Sequence, residues 1–122
     1  MHDVINIDQA KTDIKELNEK FNQFSKDWEE GDGYSYYCTD IAEQELSLVL
    51  EKMNHYQGFI FEYNESEYTD PKYDEWYQDQ TLSYEDLYSC NVTEDNYGLA
   101  DAIACDIKTE LVEYLQTEIE NL

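Results

Sequence analysis

A small, α-rich α+β domain is the fold class this sequence predicts, on three observations. Apolar residues recur at helical spacing in three long stretches. A short aromatic run, Phe59-Ile60-Phe61-Glu62-Tyr63, has the composition of a strand. No internal repeat, flexible linker or membrane-length apolar run divides the chain. At 122 residues and 14.5 kDa, a single domain over residues 1–122 is expected, large enough to bury a core without disulfide or metal staples. Apolar residues make up 41% of the chain and aromatics 15%, which separates it from disordered acidic tails.

The first helix is set by Ile7, Ile14, Leu17, Phe21, Phe24 and Trp28, which fall on one stripe. Asp8 is its expected N-cap, and Gly31-Asp32-Gly33 is its stop. A second helix is expected from Thr39 or Asp40, where Asp40-Ile41-Ala42-Glu43 has capping-box spacing. Ala42, Leu46, Val49, Leu50, Met53 and Tyr56 continue its apolar face, and Gly58 ends it. The strand at Phe59–Tyr63 then follows, with Tyr34-Ser35-Tyr36-Tyr37-Cys38 as its candidate partner.

Between residues 64 and 96 the chain changes character. Asn64 to Pro71 reads as an acidic loop, Asp70 as the cap of a short helix with Pro71 at its first position, and Ser83-Tyr84-Glu85-Asp86 as another capping box. A last helix is expected from near Glu94, because Leu99, Ile103, Ile107, Leu111, Leu115 and Ile119 repeat every fourth position. It is expected to pack on the first two helices, leaving an acidic, tyrosine-rich connection outside.

Thirty acids against seven lysines and no arginine give a formal charge of −23. The excess is uneven: residues 1–26 hold five acids and four lysines, net −1, whereas residues 27–122 hold twenty-five acids and three lysines, net −22. Such a field repels itself and weakens the compact state, so its natural use is to attract a strongly basic partner. Nucleic acid and anionic lipid surfaces are repelled by it, which argues against direct nucleic-acid or membrane binding.

From Glu62 to Asp95 eleven acids face Lys72 alone, and aromatics are interleaved with them. Tyrosine and tryptophan supply rigid amphipathic contact area at small rotamer cost, so acids mixed with aromatics read as an interface inside a steering field. The candidate binding residues are Glu62, Glu65, Glu67, Tyr68, Asp70, Tyr73, Asp74, Glu75, Trp76, Tyr77, Asp79, Tyr84, Glu85, Asp86 and Tyr88. Glu110, Glu113 and Glu118 of the last helix are the next candidates. The competing reading turns half of the tyrosines into the core and leaves the acids as a solvated face.

Catalytic and metal chemistry find little support. Placing Gly33 at the glycine of a calcium loop puts Trp28 at the first ligand position and Thr39 where the bidentate glutamate belongs. Cys38, His55, Cys90 and Cys105 have none of the close pair spacings of zinc modules, and His55 reads as a cation favouring a helix C-terminus. An odd number of widely spaced cysteines fits reduced thiols. There is no Gly-rich phosphate loop, G-x-S-x-G or H-E-x-x-H, and thirty acids make carboxylate pairs uninformative. The expectation is a non-enzyme with no cofactor and no metal.

In composition and size, through the acidic balance of residues 27–122 and the acid-tyrosine alternation from Tyr63 to Tyr88, the chain resembles the DNA-mimic inhibitors of phages and mobile elements, the antirestriction and anti-CRISPR proteins. The resemblance implies a basic nucleic-acid-binding partner such as a CRISPR effector nuclease or restriction enzyme, blocked at its DNA- or PAM-reading surface. An immunity protein against a basic nuclease toxin has the same composition, and a salt-adapted acidic protein is a third reading. Met1-His2-Asp3-Val4-Ile5-Asn6 has no signal-peptide character, so a cytoplasmic location, in the host cell for a phage product, is expected. A homodimer through the first helix is compatible with the pattern.

Overall fold

A computed structural model of the chain describes residues 5–30, 35–56, 58–59 and 89–121. Within them lie three α-helices: α1 at Ile7–Glu30, α2 at Ser35–Met53 and α3 at Tyr97–Glu120. No strand occurs among the described residues, so the α+β expectation is overturned and the fold is helical.

The aromatic run at residues 35–38 belongs to α2. Ser35 to Cys38, cast as a strand partner, instead form the first turn of α2. Cys38 lies three and four residues before Ile41 and Ala42, and all three are buried, so Cys38 belongs to the helical stripe. Phe59, assigned to the strand, is helical and buried, with its ring 5.5 Å from that of Tyr114 on α3. Ile60 to Tyr63, and the short helices read from Asp70 and Ser83, lie outside the described residues.

Helix ends also move, for reasons of capping chemistry. Asn6 caps α1 in place of Asp8: its Oδ1 accepts the Gln9 backbone N–H at 3.0 Å, and its carbonyl accepts that of Ala10 at 2.9 Å. Asp8 then sits in the first turn, where a negative charge complements the helix dipole. α2 stops at Met53, before Gly58, through tight turns in which the N–H groups of His55 and Tyr56 donate to the carbonyls of Lys52 and Met53 at 3.1 and 3.0 Å. Asn96 precedes α3, and its side chain turns back to accept the Thr93 N–H at 2.9 Å. That turn occupies Glu94 and Asp95 and delays the helix to Tyr97.

Asp13 and Glu16, early in α1, meet Lys52 at the end of α2, so these helices run antiparallel. Trp28, late in α1, lies with its ring 6.0 Å from that of Tyr97 at the start of α3. α3 therefore runs antiparallel to α1 and parallel to α2. Leu17, Leu46, Val49, Met53, Ile103, Ile107, Leu111 and Leu115 are fully buried between the three helices. Each such side chain contributes about 2 kcal/mol of apolar burial, and this shared core holds the bundle. Among the described residues no helix is long and apolar enough to cross a membrane.

Candidate functional site

The binding residues read from the sequence, Glu62 through Tyr88, all lie outside the described residues. Of the secondary set on the last helix, α3 brings together Glu110 and Glu113, both exposed and one turn apart. Asp106, half-buried, precedes Glu110 by four residues and extends the same ridge, so three carboxylates span about 10 Å of axis. Glu118 does not join them: five residues beyond Glu113 it turns about 140° around the helix and is half-buried.

A groove of about 480 Å³ runs between α1 and α2. Phe24 and Leu48, both half-buried, form its apolar floor, while Glu16, Asp40, Glu43 and Glu51 line it with Lys20 as the one cation among the described residues. The acids of α2 reach it because residues 40, 43, 47 and 51 share one helical stripe, the side of α2 turned away from its core positions.

Beyond the groove, a polar cluster ties α1 to the end of α2. Asp13 is fully buried, and it accepts hydrogen bonds from the Tyr56 hydroxyl at 2.6 Å and from Gln9 Nε2 at 3.0 Å. Lys52 Nζ stands 3.2 Å from one of its oxygens and His55 Nδ1 3.3 Å from the other. Burial alone pushes the Asp13 carboxyl up, but the hydrogen bonds from Tyr56, His55, Lys52 and Gln9 together outweigh it and hold the group below its ordinary value. Lys52 is buried as well and also bonds Glu16 at 2.6 Å. Desolvation pulls its pKa down, yet the hydrogen bonds and charges of Glu16 and Asp13 prevail and raise it. His55, expected only to favour a helix terminus, is thus a partner of a buried carboxylate.

A second cluster lies between α2 and α3. Glu45, Asp101 and Cys105 bring their ligand-type atoms within 4.8 Å of one another, and they are the one such group of three among the described residues. The Cys105 thiol points at Glu45 Oε2, 3.5 Å away, and at Asp101 Oδ1, 3.7 Å away. Burial, and then the charge of and hydrogen bond to Asp101, push the Glu45 carboxyl up to about 9. Asp101 is raised by burial, and Cys105 is raised by burial followed by the two carboxylates. At neutral pH Glu45 therefore keeps its proton and donates to Asp101, and Cys105 stays a thiol rather than a nucleophilic thiolate. Phe24, Trp28 and Glu29 line a cavity of about 250 Å³ beside the three groups. The donor set of two carboxyls and a thiol is one that divalent cations accept, but as placed it holds protons. The zinc grouping weighed from sequence is not assembled, since Cys38 and Cys90 are not among these residues.

Sequence reasoning passed over Asp13 and Glu45, although each leaves a trace. Asp13 stands on the buried stripe Ala10, Leu17, Phe21, three residues after the first. Glu45 stands between Ala42 and Val49 in the same way. An acid at a core position of an amphipathic helix is the available signal, because such a group persists only when it is paired or protonated. Comparison with protein families, curated proteins and solved structures finds no match to this chain.

Proposed function

We propose that this chain is an acidic protein inhibitor that imitates nucleic acid and blocks the DNA-binding or PAM-reading surface of a CRISPR effector or restriction enzyme. The observation that carries the reading is the net −22 over residues 27–122, joined to a helical scaffold whose apolar core buries only Asp13 and Glu45 among the described acids. Duplex DNA presents one negative charge for about every 1.7 Å of axis, and a cationic groove built for it attracts any folded surface rich in carboxylates. The Asp106, Glu110 and Glu113 ridge supports the same reading. The interface is assigned to the acid and tyrosine segment from Glu62 to Tyr88, and the acids of α3 are its second component. The protein acts without catalysis or cofactor, in the cytoplasm of the cell that houses its target.

The test is a competition assay with a purified effector and its duplex target. The reading expects this protein to displace the DNA and to lose potency as salt is raised. Simultaneous binding of protein and DNA to one effector rejects mimicry.

A further inference from the structure

The groove between α1 and α2 has a shape and a charge of its own. On α2 its lining runs from Asp40 to Glu51, three turns and about 16 Å along one face. On α1 it is matched by Glu16, Lys20 and Phe24 at four-residue intervals. Glu16 is engaged with Lys52, which leaves Asp40, Glu43 and Glu51 as a line of carboxylates along the rim. Among the described residues none of these three has a cation within ion-pair distance. Phe24 and Leu48 beneath them keep half-buried apolar surface open to the groove.

Charge decides the occupant. The chain's own segment from Glu62 to Asp95, with eleven acids and Lys72 alone, is repelled by this rim, and so is a second copy of a chain carrying −23. A cationic ligand is attracted, and the length and apolar floor suit a helix laid into the groove better than a single side chain. We propose that the α1–α2 groove docks an amphipathic α-helix of a basic partner protein, its apolar residues seated on Phe24 and Leu48 and its arginines or lysines reaching Asp40, Glu43 and Glu51. The proposal shares its cationic partner with the function proposed above and adds a docking surface to it.

The test uses the full chain and two fluorescent peptides of identical composition. One is a three-turn helix former with leucines on one face and arginines flanking them; in the other the leucines are scattered. Fluorescence anisotropy is expected to show the amphipathic peptide bound about tenfold more tightly than the scattered one. The triple variant Asp40→Asn, Glu43→Gln, Glu51→Gln is expected to weaken that binding by about tenfold or more. The triple variant Asp8→Asn, Glu30→Gln, Glu120→Gln removes the same number of exposed charges away from the groove and is expected to keep it within about twofold. Circular dichroism checks each fold, and Glu51→Gln alone, with a smaller loss in the same direction, serves where a triple variant is altered.

Equal binding of the two peptides, an equal loss in the control variant, or no binding at all overturns the proposal, because the attraction is then diffuse or absent. The DNA competition assay separates the two ideas. Peptide docking that survives a failed competition removes mimicry and keeps the groove, and the converse result removes the groove alone.

Discussion

At the scale of single residues, Asp13 is the position on which the α1–α2 contact turns. A carboxylate with no solvent exposure is tolerable only while its partners stay in place, and here Tyr56, Gln9, Lys52 and His55 all converge on it. Asp13→Ala strips these four groups of one acceptor at once and leaves the buried Tyr56 hydroxyl without its carboxylate. A loss of about 3 kcal/mol is expected, against about 1 kcal/mol for Tyr56→Phe, which removes one donor and keeps the carboxylate paired. Urea unfolding followed by far-ultraviolet circular dichroism measures both, and a neutral Asp13→Ala contradicts the role given to the cluster. The pH dependence has a definite sign. Because the folded Asp13 carboxyl lies below its ordinary 3.8, its contribution is complete above that value and is lost as pH falls through the lower, folded one.

At the scale of elements, the seam between α2 and α3 carries the opposite pH dependence. Glu45 has its pKa raised from 4.5 to about 9 in the folded protein, so the unfolded chain releases this proton first. Stability from this group is full below pH 4.5 and declines as pH rises toward about 9. Glu45→Gln keeps the shape and removes the titration, and it is expected to raise the melting temperature at pH 8 by about 4 °C while flattening the decline above pH 5. Alkylation of Cys105 at neutral pH is expected to stay slow in the variant, since Glu45 is already uncharged there and Asp101 still disfavours the thiolate. A melting curve that keeps its slope in the variant removes Glu45 as the cause. The elements themselves differ in how far the sequence reveals them. The bodies of α1, α2 and α3 are legible because apolar residues at helical spacing persist over about four turns or more, long enough to outweigh local composition. The start of α2 is not: five residues rich in tyrosine satisfy strand and helix alike, and Cys38 shows its helical place only through its burial beside Ile41 and Ala42. Asn6 and Asp8 are both good caps, two residues apart, and the choice between them rests on a single hydrogen bond. The groove was hidden for another reason, since Phe24 and Glu43 share a site only once two helices are placed side by side.

At the scale of the whole molecule, the charge sets two salt effects of opposite sign. Folding brings thirty acids and seven lysines into a volume far smaller than the unfolded chain occupies, so self-repulsion opposes it. The screening length falls from ~30 Å at 0.01 M to ~8 Å at 0.15 M, short enough to uncouple acids on different helices while leaving the buried Asp13 and Lys52 pair nearly untouched. Melting temperature is therefore expected to rise by several degrees over this range of sodium chloride and to level off above it, whereas association with a basic partner weakens over the same range. Thermal scans at the two concentrations, repeated at about 1 M, decide the matter. A plateau marks relief of repulsion among the surface acids, as the proposed steering field requires. A melting temperature still climbing steeply at the highest salt instead marks acids kept for solvation in brine, and it removes the physical basis for a steering field.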